Sequence, residues 1–206
     1  MFHMVPVSIS TFYVSNGAKQ IVLYPQVEHL HQPQWQMKVN HAIVEQTKKL
    51  MNEQIGNMPS TVEEMLGFYE IKNNQRQVLS LTQTNYTYHN RAAHGMTYIK
   101  SLTFDMLKQK ICTLEDLFKP NSNYIERISA LIHQQIKQRN IELISPFTVI
   151  KPDQDFYVAD KTLVIYFQLY DITPYVFGFP MFPISLYDLQ DIIDEEGPLG
   201  RLSENN

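Results

Sequence analysis

Residues 77–106 read QVLSLTQTNYTYHNRAAHGMTYIKSLTFDM. Extended backbone would put Val78, Ser80, Thr82 and Thr84 on one side and Leu79, Leu81, Gln83 and Asn85 on the other. The chain alternates again from Gly95 to Met106. Two alternating runs joined by a short link predict two half-buried strands of an antiparallel meander. In the link, Ala92, Ala93 and Gly95 allow close backbone approach, and Gly95 allows φ > 0. His89 and His94 flank this link, and His29 and His31 lie upstream. Zinc needs three or four convergent ligands. No CxxC or HExxH spacing supplies them. Hence no metal and no cofactor is expected. His94 is read as a turn residue that satisfies a nearby backbone or carboxylate group.

Upstream, VPVSISTFYVS (5–15) and QIVLYPQV (20–27) predict two strands around an Asn16-Gly17 turn, with Pro25 marking an end or an edge. Residues 35–56 predict a long helix with Val39, Ala42, Ile43, Leu50 and Met51 on its apolar side and Gly56 as its C-cap. A strand block opens at residue 62, with Asn73-Asn74 as its turn. Downstream, TLEDLFKP (113–120) predicts a short helix capped by Thr113 and Asp116 and ended by Pro120. Residues 121–140 give a clear amphipathic helix on Ile125, Ile128, Leu131, Ile132 and Ile136. DFYVAD and TLVIYFQLY follow as strands around Asp160-Lys161, and PISLYDLQDIID (183–194) reads as a short helix or a strand leading into one. Strands therefore come in groups rather than alternating with helices. The fold class is α+β: mainly antiparallel sheet meanders packed against two longer helices, in two small fused halves, 5–90 and 91–193. The acidic tail 194–206 is expected to fray.

Composition narrows the function classes. The net charge is −4 and Lys48-Lys49 is the single Lys/Arg pair, so the basic footprint of a nucleic-acid binder is missing. Cys112 is the lone cysteine, which excludes an intramolecular disulfide. Paired with His94 or His133 it would make a nucleophile, but no flanking signature supports that, and it reads as a small buried hydrophobe. Carboxylates are scattered without the spacing of an acid/base pair. Neither GxGxxG nor a P-loop occurs. No apolar run reaches membrane-spanning length, and no basic region followed by an apolar run marks a signal peptide, so membrane insertion is not expected.

The second unusual stretch is FYVADKTLVIYFQLYDITPYVFGFP (156–180). It packs Phe156, Tyr157, Tyr166, Phe167, Tyr170, Tyr175, Phe177 and Phe179 into 25 residues. Aromatic strands usually build a core. Tyrosines on a loop held by Pro174, Gly178 and Pro180 also suit a recognition surface, although the core reading is favoured. The candidate ligand-binding residues are Tyr170, Asp171, Tyr175 and Phe177, with His94 shaping a neighbouring turn.

AAHG (92–95), LTFDM (102–106), TLEDLFKP, the 156–180 stretch and FPISLYDL (182–189) occur in that order. This ordered set resembles the bacterial domains at the C-terminal end of RsiV-like anti-sigma factors, which also accompany the catalytic domain of PdaC-like peptidoglycan deacetylases. Residues 21–46 resemble the companion domain that precedes them. The resemblance implies an α+β fold, an extracytoplasmic setting for the relatives, and lysozyme binding in RsiV-like proteins. It does not make this region an enzyme. Asp171 stands where relatives commonly have Glu. The chain shows no sigma-binding segment and no deacetylase domain, so a direct anti-sigma role is not expected. The function expected is a non-enzymatic binding module of cell-envelope type, taking a protein or a peptidoglycan ligand. The alternative is a hydrolase built on His94 with Asp105 or Asp171.

Overall fold

The computed structural model describes residues 6–204. The opening Met1–Val5, with the first residue of the predicted first strand and half, and the final Asn205 and Asn206 lie outside the described residues. Strands β1 (Ser8–Ser15) and β2 (Gln20–Glu28) lead into helix α1 (Pro33–Ile55). Strands β3 (Val62–Gln75), β4 (Val78–His89), β5 (Met96–Asp105) and β6 (Lys110–Cys112) follow. Helix α2 (Tyr124–Gln138), strands β7 (Phe156–Ala159), β8 (Thr162–Tyr166) and β9 (Met181–Ser185), and helix α3 (Pro198–Ser203) complete the order. One sheet runs β1-β2-β3-β4-β5-β6 and a second runs β7-β8-β9. Sequence neighbours are sheet neighbours throughout, which is the meander that the alternating runs predict. The α+β class therefore holds. One pair departs from it: β2 and β3 are parallel, from Gln20↔Met65 to Val22↔Gly67. The crossover through α1 returns the chain to the starting end, which permits parallel pairing.

The chain divides into two compact units, residues up to Ile71 with Leu81–Leu102, and Lys72–Ser80 with Thr103 onward. In the first, α1 buries Trp35, Val39, Ile43, Thr47, Leu50 and Gln54. The buried stripe is partly polar because β4 meets it with polar side chains. Gln46 Nε2 donates to Gln83 Oε1 at 2.9 Å, and Gln83 Nε2 donates to Thr47 Oγ1 at 2.5 Å. Asn85 Nδ2 donates to Gln54 Oε1, and Gln54 Nε2 to the Met96 carbonyl at 2.8 Å. This corrects the half-buried reading of β4: residues 78–85 are buried on both faces. Hydrogen bonds from the Gln83 and Asn85 side-chain amides offset the cost of burying them in a central strand.

In the second unit the core gathers α2, β7–β9 and the C-terminal segment around Leu117, Ile128, Ile132, Ile165, Phe182 and Leu199. Three further expectations are corrected here. The β3–β4 turn lies at Arg76-Gln77, both at positive φ (50° and 55°), not at Asn73-Asn74. Asn73 is buried and supports the turn, its Nδ2 donating to the Val78 carbonyl at 2.6 Å. The helix predicted over 113–120 is a single 3₁₀ turn, Glu115–Leu117. Asp116 still accepts from the Thr113 amide at 2.9 Å, so the capping chemistry survives without the helix. The tail does not fray as far as Ser203: α3 buries Leu199 and Leu202. Pro198 fits its first turn, and a Cβ on Gly200 would collide with the Glu195 backbone. The acidic composition of the segment hides that apolar pair.

Candidate functional site

The β8 strand stops at Tyr166, short of the predicted Tyr170, and the chain loops from Phe167 to Pro180 before β9. Both ends of the loop are tied down. The Phe167 amide donates to the Pro180 carbonyl at 3.1 Å. The Phe167 ring packs edge-on against Phe147 and Phe182. Gln168 Nε2 donates to Asp155 Oδ2 at 2.8 Å. Midway, Ile172 and Thr173 are buried, and the Ile144 amide donates to the Ile172 carbonyl at 3.0 Å. A loop with a buried middle and pinned ends presents its remaining side chains from a fixed frame.

Two turns do the presenting. The Asp171 amide donates to the Gln168 carbonyl at 3.1 Å, and Tyr170 sits third in this turn at φ 67°. Turns with positive φ at that position prefer Gly or Asn. A tyrosine there is held against its own preference. Asp171 Oδ2 accepts the Gln168 amide at 2.9 Å and so clasps the turn. Next, Pro174 opens a 3₁₀ turn over Tyr175–Phe177, closed by Gly178 at φ 79°. The aromatic cluster thereby splits. Phe156, Tyr157, Tyr166 and Phe167 are core. Tyr170 is 44 % and Phe177 41 % exposed, and Tyr170 and Tyr175 lie with ring centroids 5.4 Å apart. The structure thus brings Tyr170, Asp171, Tyr175 and Phe177 onto one loop.

Val176, at 92 % exposure, forms the loop's tip and was not among the residues picked from the sequence. Pro174 and Gly178 bracketing three apolar residues were the available signal. Ile144, exposed beside the Ile172 contact, was also missed, because 141–151 carries no periodicity.

His94 belongs to the other unit. It is exposed on the β4–β5 turn, with Nδ1 2.8 Å from the Gly95 carbonyl oxygen. Positive φ in that turn falls on Arg91 (65°), not on Gly95. Gly95 is needed for the close approach instead: a Cβ would collide with the Tyr86 ring. His89 is structural, its ring nitrogens 2.7 Å from Thr61 Oγ1 and 2.7 Å from the Gln54 carbonyl oxygen. Both carboxylates of the hydrolase alternative are engaged in local structure. Asp105 is 1 % exposed, and its Oδ1 accepts from Arg201 at 2.7 Å and from the Leu107 and Lys108 amides. Asp171 holds its own turn. Burial pushes the Cys112 thiol up to about 11, so it is a neutral buried group rather than a nucleophile.

Residues 115–187, which include the loop, match the family described as protein of unknown function DUF3298. The peptidoglycan-N-acetylmuramic acid deacetylase PdaC of Bacillus subtilis is 24 % identical over 136 residues, covering 62 % of this chain and 29 % of PdaC. The anti-sigma-V factor RsiV of the same organism is 26 % identical over 172 residues, covering 78 % of this chain and 60 % of RsiV. The matched region thus spans under a third of PdaC and about three fifths of RsiV. Two crystal structures share the fold. A DUF3298 family member from Bacteroides fragilis has a TM-score of 0.71 at 13 % identity, over 97 % of this chain and 98 % of that one. A DUF3298 family protein from Pseudomonas aeruginosa has a TM-score of 0.69 at 14 % identity, over 98 % and 99 %. Residues 115–187 are thus similar to the DUF3298 family, and the chain is similar to RsiV and, in part, to PdaC.

Proposed function

We propose that this chain is a non-enzymatic recognition module of the bacterial cell envelope, and that Tyr170, Asp171, Tyr175, Val176 and Phe177 form its contact surface. The observation that carries the reading is the exposure of this apolar loop on a pinned frame. Exposed large apolar groups cost solvation, and preorganised aromatic side chains lose little entropy on binding. The partner class comes from the relatives, whose names tie them to a sigma-factor regulator and to a peptidoglycan enzyme. A protruding apolar tip fits a protein cleft better than a flat glycan, so a lysozyme-like protein is the first partner to test and soluble peptidoglycan fragments the second.

Calorimetric titration of the purified chain against lysozyme and against those fragments tests this. Saturable binding weakened at least about tenfold by Val176→Arg and Tyr175→Ala, with unchanged melting, supports the proposal. Binding that both variants leave intact removes the loop from the account.

A further inference from the structure

Asn16 and Gly17 open the turn between β1 and β2, and both are exposed. The Asn16 amide donates to the Gln20 carbonyl at 2.9 Å. The Gly17 carbonyl accepts from the Gln20 amide and from Ser15 Oγ, each at 3.2 Å. The Gly17 N–H is left over: among the described residues no group accepts it. Gly17 sits at φ 95°, and a Cβ there would meet nothing within 4 Å. The backbone nitrogen that follows Asn16 thus has no hydrogen bond to hold its proton and no side chain to shield it.

Asparagine is a thermolabile residue, because its side-chain carbonyl carbon is within reach of the next backbone nitrogen. Hydroxide removes the Gly17 amide proton, and the nitrogen attacks Asn16 Cγ. The N–Cγ bond forms, the Cγ–Nδ2 bond breaks, and Nδ2 leaves as ammonia with a proton from water, which regenerates hydroxide. Water then opens the succinimide. Opening at Cγ gives aspartate. Opening at the main-chain carbonyl carbon gives isoaspartate, whose backbone runs through Cβ and Cγ. Nothing is oxidised or reduced. No other asparagine in the chain is followed by glycine. Asn40, Asn73 and Asn85 also commit their side-chain amides to the Val27 carbonyl, the Val78 carbonyl and Gln54. Asn16 Nδ2 makes only an exposed bond to Gln20 Oε1 at 3.2 Å.

We propose that Asn16 is a self-modification site that converts to aspartate and isoaspartate, and that the isoaspartate form loosens the end of β1 next to the turn. The consequence follows from how β1 is held. In a hairpin the turn sets the register, and burial of one face secures it. β1 has no buried residue with which to secure it. Its middle is tied by the Thr11 and Tyr69 hydroxyls, 2.6 Å apart, and by the Phe12 and Tyr24 rings at 6.2 Å. Toward the turn, Tyr13, Val14 and Ser15 depend on their register with Leu23, Val22 and Ile21. Isoaspartate adds a main-chain atom inside the turn and breaks the match of Asn16 with Gln20. Aspartate adds the same negative charge without that atom, so the two products separate charge from backbone.

Incubation of the purified full chain at neutral and mildly alkaline pH tests this, followed by peptide mapping by mass spectrometry with aspartate and isoaspartate resolved. Asn16→Gln, Asn16→Asp and the parent unfolded in urea run beside it. The expected result is exchange of amide for acid at Asn16 ahead of every other asparagine, with isoaspartate present and a rate that rises with hydroxide. Asn16→Gln, which must close a larger ring, stays unconverted over the same time. Bonded pairs alternate along the ladder from Asn16 and Gln20, so the Val14 amide is a protected one. Its exchange quickens in the isoaspartate form and not in Asn16→Asp. A native chain that keeps Asn16 while the unfolded chain converts it overturns the proposal, because the turn then blocks ring closure. So does earlier conversion of another asparagine, or an isoaspartate form whose Val14 amide exchanges as in the parent.

Discussion

Asp105 shows how a residue chosen for chemistry turns out to hold the fold. Its Oδ1 accepts from Arg201 and two backbone amides, and Arg201 also donates through Nε to the Arg76 carbonyl at 3.2 Å. Removing one partner of a buried pair leaves an uncompensated charge. Arg201→Ala is therefore expected to destabilise by about 3–5 kcal/mol in urea unfolding, far more than loss of an exposed pair. A loss below about 1 kcal/mol would show that the pair is solvated. The partners lie 96 residues apart, so no local pattern in LTFDM reveals this role. Tyr170 is the opposite case. Its position beside Pro174 and Gly178 was legible as a presented aromatic, but its positive φ was not, since tyrosine rarely takes it. Tyr170→Asn relieves the backbone while removing the ring. Melting should hold or rise by the equivalent of up to about 1 kcal/mol, while partner binding falls. A clear drop in stability would mean that the ring packs rather than presents.

At the scale of elements, α1, α2 and the strand groups were legible because apolar spacing repeats over several turns or pleats. What failed was anything fixed by contact with a distant element. The polar run of β4 reads as half-exposed until α1 supplies Gln46, Thr47 and Gln54 as partners. Similarly, α3 is six residues long and depends on docking rather than on its own propensity. Gly200→Ala is expected to push α3 from the Glu195 backbone and cost about 1–3 kcal/mol, measurable in thermal unfolding. The 3₁₀ turn after β6 gives a pH prediction. Burial by itself would raise the Asp116 carboxyl, but the Lys110 ammonium at 2.8 Å and the Thr113 amide outweigh it and hold the group below its ordinary range. A folded-state pKa below the unfolded one stabilises above the unfolded value, about 3.9, and that contribution is lost as pH falls through the folded value. Asp116→Asn should therefore flatten the loss of stability below about pH 4. An unchanged acid limb would show that other carboxylates control it.

For the whole molecule, the readout of the proposed loop surface is partner binding. The aromatic loop is the central claim, and amide hydrogen exchange on the chain with and without its titrated partner tests it most directly. The account predicts new protection across residues 169–178, with the amides of β4 and α1 unchanged. Protection elsewhere, with the loop exchanging as in the free chain, would contradict it and mark those aromatics as an exposed part of the frame.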